Sequence, residues 1–288
     1  MSPKKIYSLQ EIRKRLQAGN FPFTGITELG TAIFKFLRPS FYAGTAIHAG
    51  SRIRAHLCEA LEINIEDRYR EEDPKTEFFI KDFPIQIIAN DSRFEYDINR
   101  NKDNAIYKTP DMAWGLKVWK RPLTQDEMDI SITKHHEFHQ LMDIVSDYLI
   151  KQNNFGIIFD LHSYNYQRDD TQPWYINKKP AINIGTKYVN RAKFSGIINE
   201  LIDSLSKISI DGHLISVAEN EVFKGGYLAQ RLSAVNYNQL LVLAIEFKKL
   251  FMNELTGKFY QTIFKELVNK FSQVVNKNMV TVSKVGIH

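Results

Sequence analysis

The sequence predicts an α/β fold: a single domain with a mixed, mostly buried central sheet flanked by helices. Three observations carry this. Apolar runs of strand length alternate with amphipathic segments of helical spacing. Several of the runs are continuously apolar, as strands covered on both faces are. The chain has 288 residues, 43% apolar and 25% charged, which suits one sizeable globular domain. It shows no internal repeats, low-complexity tracts or long Gly/Ser linkers, so residues 1–288 are read as one unit.

The elements follow in order. Ile6, Leu9, Ile12 and Leu16 predict a short amphipathic helix over 6–18. Residues 41–48 read as a strand. Ile53, Leu57, Ala60 and Leu61 predict a helix over 51–62. Pro84 to Ala89 is a short apolar strand, and Phe94 to Ile98 alternates like another. Thr124 to Asn153 is the clearest helix, with Thr124 as N-cap and Glu127 at the capping-box position. Its apolar stripe runs through Met128, Ile132, Phe138, Leu141, Met142, Val145 and Leu149. A strand over 156–161, a helix over 194–207, a strand from Leu240 to Glu246 and a closing helix over 259–277 complete the pattern.

Composition narrows the function classes. The single cysteine, Cys58, excludes an intrachain disulfide and a cysteine-rich zinc cluster. The formal charge is +5, but Lys and Arg are scattered among acids, so nucleic acid is not the expected partner. No apolar run of about 18 residues predicts a membrane span. Met1 to Asn20 is charged and lacks a signal-peptide core. A cytoplasmic location is the expectation.

Three polar groups stand at apolar strand ends. Gly156-Ile157-Ile158-Phe159-Asp160-Leu161-His162-Ser163 ends in Asp-x-His-Ser. The carboxyl ends of buried strands face the crevice where α/β proteins bind ligands. A histidine there, two residues after an aspartate, suits a metal ligand with its acidic neighbour close by. His48 follows Phe41-Tyr42-Ala43-Gly44-Thr45-Ala46-Ile47 and precedes Ala49-Gly50, a similar setting. Glu246 ends the run from Leu240. Burying such groups unpaired costs on the order of 2–7 kcal/mol even when neutral. One zinc ion held by two histidines, with a carboxylate nearby to handle protons, would compensate. The acidic run Arg70-Glu71-Glu72-Asp73-Pro74 is the best source of a third ligand. A competing set lies in the long helix, His135-His136-Glu137-Phe138-His139. His135 and His139 share a face, but Glu follows the second histidine, where the zincin pattern needs it after the first.

These segments resemble the N-formylglutamate amidohydrolase family. Ile47-His48-Ala49-Gly50 is similar to its His-Ala-Gly segment, and Arg93-Phe94-Glu95-Tyr96-Asp97-Ile98-Asn99-Arg100 to its Ser-Arg-Tyr-x-x-Asp-Leu-Asn-Arg stretch. Gly156 to Ser163, Asn183-Ile184-Gly185-Thr186, and Phe223-Lys224-Gly225-Gly226 followed by Arg231 resemble further segments. So do Ala244-Ile245-Glu246 and Phe251-Met252-Asn253-Glu254, the latter matching a helical segment. The matches run in order from about residue 41 to 257. The first forty residues and the tail after about 260 lack a clear counterpart, and the stretch from Trp114 to Pro122 matches poorly.

The resemblance implies a zinc-exopeptidase-like fold, related to carboxypeptidases and aspartoacylase-type deacylases. It implies zinc, one per chain, held by His48, His162 and Asp73, with Glu72 as the alternative acidic ligand. Glu246 matches the catalytic glutamate, and Asn99-Arg100 the pair that holds the substrate carboxylate. Arg52, Arg54, Lys224 and Arg231 are candidates for a second carboxylate. Gly225-Gly226 is where backbone comes close to ligand or sheet. The implied activity is hydrolysis of an N-formyl or short N-acyl amino acid, N-formyl-L-glutamate foremost. The partner is then a small anionic N-acyl amino acid. Two other readings stand beside it: a non-catalytic binding protein on the same fold, and a zinc peptidase or amidase with another substrate.

Overall fold

Two continuously apolar runs, residues 156–161 and 240–245, form the middle of the sheet. The structure, a computed structural model, describes residues 4–168 and 171–285. The strands are β1 (Ile6–Tyr7), β2 (Phe23–Thr27), β3 (Ala32–Phe36), β4 (Tyr42–Ala46), β5 (Ile85–Ala89) and β6 (Gly156–Tyr164). They continue with β7 (Ile182–Gly185), β8 (Ser209–Ile210), β9 (His213–Leu214), β10 (Val217–Glu219) and β11 (Leu240–Lys248). The α-helices are α1 (Leu9–Gln17), α2 (Ala55–Cys58), α3 (Ile65–Glu71), α4 (Gln125–Asn153), α5 (Ser195–Ser206), α6 (Tyr227–Asn236) and α7 (Gln261–Val285). Two 3₁₀ turns lie at Thr76–Ile80 and Pro110–Ala113. No helix among the described residues is long and apolar enough to cross a membrane.

Nine strands make one mixed sheet in the order β1-β2-β3-β5-β4-β6-β11-β7-β10. Its centre, β5-β4-β6-β11, is parallel; β3 and β7 join it antiparallel on the two sides. Side chains alternate between two apolar layers. Ile157, Phe159 and Leu161 of β6 pack with Leu241, Leu243 and Ile245 of β11 against Leu201 of α5 and Phe271 of α7. Ile158 packs with Leu240 and Val242 toward Phe138, Leu141 and Val145 of α4 and Leu228 of α6. Because these strands are covered on both faces, their sequences read as unbroken apolar runs.

The expected strands at 41–48, 84–89, 156–161 and 240–246 form as β4, β5, β6 and β11, and the helix at 194–207 as α5. α4 begins with the Thr124/Glu127 capping box. The closing helix starts at Gln261 and runs on to Val285. Elsewhere tertiary bonding overrides the local pattern. Ile6 and Tyr7 pair with β2, and the helix starts only after Ser8, which caps it through Glu11. The helix expected over 51–62 shrinks to α2. Arg52 N–H instead donates to the Asn90 carbonyl (3.2 Å) and Arg54 N–H to the Glu95 carboxylate (2.8 Å).

Residues 94–98 form no strand; they are a buried turn in which Glu95 and Asp97 are covered as fully as Phe94, Tyr96 and Ile98. Their alternation distinguishes apolar packing from ion pairing, not core from solvent. Residues 251–254 are a turn closed by a Met252–Phe259 bridge, where the resemblance implies a helix. The first forty residues supply β1 to β3, which complete one side of the sheet.

Gly44 lies where β4 meets the Thr76–Ile80 turn. A Cβ there would stand 2.3 Å from Ile80 Cγ2 and 2.8 Å from Phe83 Cδ2. Gly44→Ala should therefore destabilise the protein by about 1–3 kcal/mol, the usual range for overpacking a core. Urea unfolding followed by circular dichroism measures it, and an unchanged midpoint would show that the layer yields.

Candidate metal centre and active site

The period of two along a strand places Asp160 and His162 on one face of β6. Parallel pairing sets Glu246 of β11 directly beside His162. His48 follows the end of β4, the neighbour of β6 on the other side. Asp73 joins them through its backbone, whose N–H donates to the His48 carbonyl at 3.0 Å. Lys249, just after β11, donates from Nζ to the carbonyls of Arg70 (2.5 Å) and Glu72 (2.8 Å), which fixes the acidic loop from the far side. Four chain segments thus converge at the carboxyl end of the sheet, where this architecture binds ligands.

His48, Asp73 and His162 each turn one ligand atom inward, and these atoms lie within 4.8 Å of one another. His162 Nδ1 is 3.1 Å from Asp73 Oδ2 and His48 Nδ1 is 3.3 Å from the same oxygen. The opposite ring nitrogens are backed by carboxylates: His48 Nε2 by Asp97 Oδ1 at 2.7 Å, His162 Nε2 by Asp160 Oδ2 at 3.0 Å. The Asp97 bond fixes the tautomer of His48, and Asp160 places a negative charge behind His162; carboxylates behind imidazoles raise their basicity, as they do for metal-ligating histidines.

Buried His48 Nδ1, His162 Nε2 and both Asp160 carboxylate oxygens lack an aligned hydrogen bond. A metal ion accounts for His48 Nδ1, and the donor set of two imidazoles and one carboxylate fits zinc with an open position. Electrostatics agree. Burial would raise the Asp73 carboxyl, but His162 and His48 hold it well below the carboxylate range. Burial would lower His162, but Asp160 and Glu246 hold it well above the histidine range. A field that draws a proton to His162 favours any cation placed there.

Glu246 is partly open to a cavity of about 280 Å³ that also exposes His48, Asp73 and His162. Being surrounded by protein, its carboxyl is pushed up to about 7, with His162 opposing and Asp73 adding to the shift. That is close to neutral, where a general base is most effective.

The N-formylglutamate amidohydrolase family model matches residues 45–252. The chain belongs to this family. Among solved structures it is similar to the N-formylglutamate amidohydrolase of Ralstonia eutropha JMP134, at TM-score 0.70 and 15% identity over 88% of this chain and 98% of that one. It is also similar to a gene product of Agrobacterium tumefaciens, at TM-score 0.63 and 14% identity over 93% of this chain and 98% of that one. At these identities the likeness concerns the fold. No curated protein matches the sequence.

The cavity of this amidohydrolase-family chain gathers some of the expected residues and not others. His48, Asp73, His162, Glu246, Asn99 and Gly225 line it. Asn99 also ties the loop to α6, its Oδ1 accepting from Leu228 N–H at 3.2 Å. Gly226 allows that approach, since a Cβ there would stand 2.2 Å from the Asn99 amide. Glu72 turns away from the cluster of His48, Asp73 and His162: its carboxylate is taken by Arg68 and the Ser92 hydroxyl, which leaves Asp73 as the carboxylate facing the histidines.

Arg100 does not line the cavity. Its guanidinium donates to the Met112 carbonyl (2.8 Å) and packs over Tyr107. Arg52 is bound to Asp91 at 2.6 Å and the Gly30 carbonyl at 2.7 Å. Arg54 is bound to Glu95 at 2.6 Å. Arg231 makes a two-pronged pair with Asp143 at 2.7 and 2.6 Å, and Lys224 is exposed beyond the lining. The helix histidines His135 and His139 face each other at 3.2 Å, and burial holds both below the ordinary histidine range. Among the described residues they have no third ligand.

The cations that do line the cavity include Arg93, Arg168 and Lys249. Arg93 belongs to the stretch that carries the family resemblance, but its spacing alone does not distinguish it from Arg100. Lys249 could have been noticed as a charge directly after an apolar strand.

Asp160→Asn keeps the shape of the group behind His162 and removes its charge. It should weaken zinc binding about 10–100-fold, the usual worth of such a partner, as measured by competition with a chromogenic chelator. Unchanged affinity would mean that Asp160 does not support the ligand.

Proposed function

We propose that this protein hydrolyses the amide of an N-formyl or short N-acyl amino acid, N-formyl-L-glutamate first among them, to formate and glutamate. The observation that carries this is Glu246 beside the inward-facing cluster His48, Asp73 and His162, in a chain of this family. The residues described form one such domain in this reading. A relation to zinc exopeptidases is what the family resemblance implies.

Zinc held by His48, Asp73 and His162 would supply an electrophile for the amide carbonyl and lower the pKa of water toward neutrality. The rest falls to side chains. Glu246, ionised, takes a proton from the attacking water as the new C–O bond forms. It returns that proton to the amine nitrogen as the C–N bond breaks, so that formate and a free amino acid leave. Asp97 keeps the His48 imidazole oriented throughout, and the Asp160 charge stands behind that of His162. Arg93 is the inner cation for the substrate α-carboxylate. Its Nη2 holds Asp97 at 2.8 Å, its Nε donates to Tyr107 Oη at 3.1 Å, and its Nη1 donates to the Glu71 carbonyl at 3.2 Å. These bonds orient the guanidinium before substrate arrives, the preorganisation that oriented binding needs.

Glu246→Gln keeps the shape and loses the proton carrier. With N-formylglutamate, kcat should fall about 10²–10⁴-fold while zinc content stays at wild-type level. Loss of zinc would make Glu246 a ligand instead. Wild-type kcat/KM should fall as pH drops and the base is protonated. The carboxyl stands at about 7 before any cation is added. Zinc favours its ionised form, so the acidic limb of the loaded enzyme should lie below that value and vanish in the variant.

Arg93→Lys keeps the charge and loses the fork. It should cut kcat/KM roughly 10–100-fold, the worth of a charge-assisted bond, and Arg100→Lys should cost less. The reverse order would return the carboxylate to Arg100. A zinc-loaded protein that binds N-acyl amino acids and turns none over would be a binding protein on this fold.

A further inference from the structure

Trp114 stands in the connection between the Pro110–Ala113 turn and α4. It ends the Pro110–Ala113 turn with φ 53 and ψ 30, in the left-handed region. Bulky side chains are rare there, and such conformations persist where the surroundings impose them and cluster at ligand sites. The residue is 43% exposed, yet it lines the same cavity as His48, His162 and Glu246.

Two guanidinium groups share that indole. The Arg93 guanidinium carbon lies 4.7 Å from the ring centroid and that of Arg168 6.0 Å. Tyr107 packs edge-on from the protein side at 5.9 Å. Both cations are within the range of attraction to an aromatic face. Glu71 relieves their mutual repulsion, since its carbonyl accepts from Arg93 and its carboxylate from Arg168. The two differ in depth: the Arg93 side chain is 12% exposed and that of Arg168 36%. The cavity therefore presents an inner and an outer guanidinium joined by one aromatic ring. A ligand with two carboxylates matches this, because planar guanidinium groups bind carboxylates in two-pronged fashion.

We propose that Trp114 and Arg168 form the outer wall of the substrate pocket and select an N-acyl amino acid with a side-chain carboxylate. The inference rests on the amidohydrolase reading and deepens it. Arg168 meets the side-chain carboxylate, and Trp114 holds the Arg168 guanidinium in place and closes that side of the pocket.

The test is equilibrium binding by titration calorimetry to the zinc-loaded Glu246→Gln protein, in which turnover is suppressed. N-formylglutamate and N-formylglutamine differ only in that carboxylate. The acid should bind roughly tenfold tighter or better, the worth of one charge-assisted bond. Adding Arg168→Gln or Trp114→Ala should reduce that preference to about two-fold, and Trp114→Phe should restore most of it. The ligand should also change the tryptophan fluorescence, and that change should be absent in the Trp114→Phe protein although Trp119 and Trp174 remain.

An undiminished preference in both the Arg168 and the Trp114→Ala proteins overturns the inference. The proposed activity fails separately. A wild-type protein that shows the preference but hydrolyses nothing sinks the activity and leaves this selectivity standing.

Discussion

The carboxylate of Asp97 is the group on which the site depends. It is buried, and it accepts from His48 Nε2, Asn99 N–H, Arg93 Nη2 and the Tyr107 hydroxyl. Its own N–H donates to the Ala105 carbonyl at 2.7 Å. One side chain thus fixes the orientation of His48, the turn over 94–100, the inner cation of the cavity and the loop that leads to Trp114. An unpaired carboxylate at this depth would be strongly unfavourable. The partners remove that penalty, and burial would raise its pKa but for Arg93 and His48, which hold it well below the carboxylate range. The network remains charged and directional, and so holds geometry where apolar packing would only exclude water.

Net charge within the cavity follows from the same logic. Asp73, Glu246 and Glu71 share the lining with Arg93, Arg168, Lys179 and Lys249, so the cations outnumber the acids by one, and the two histidines complete the set. Lys249 gives the strongest evidence that position governs here. Its ammonium is almost fully buried, and burial lowers its pKa, yet its direct partners are two backbone carbonyls of the loop that presents Asp73. The cation stiffens that loop and leaves the Asp73 carboxylate turned toward the two histidines.

Much of this was legible in the sequence, for local reasons. Strands buried on both faces advertise themselves as apolar runs, so a polar residue at the end of such a run stands out, as His162 and Glu246 do. Asp160 was legible because two residues is the strand period. What was not legible depends on the direction a side chain takes in an irregular loop. Glu72 and Asp73 are adjacent, and distant partners decide which carboxylate turns inward: the His48 carbonyl bonded by Asp73 N–H, Lys249 beneath the loop, and Arg68 and Ser92 on Glu72. Arg93 and Arg100 share one turn, and only that turn's path sends Arg93 into the cavity and Arg100 toward Met112. Arg52, Arg54 and Arg231 look like available cations in the sequence; their partners Asp91, Glu95 and Asp143 lie at separations that no local pattern reveals. The strands β2 and β3 went unread because they carry no run as continuous as those of β6 and β11.

The pairing of β6 with β11 has a bearing on how this chain can change. His162 and Glu246 are neighbours only because nine successive residue pairs, from Gly156 with Leu240 to Tyr164 with Lys248, hold one register. A single inserted or deleted residue in either strand would turn every later side chain to the opposite face. Leu161 or Ser163 would then occupy the place of His162, or Ile245 or Phe247 that of Glu246, while an apolar layer lost its members at the same stroke. Drift in length is therefore confined to the connections. The stretch from Trp114 to Pro122 is one such connection, and through Trp114 it reaches the cavity that holds His162 and Glu246.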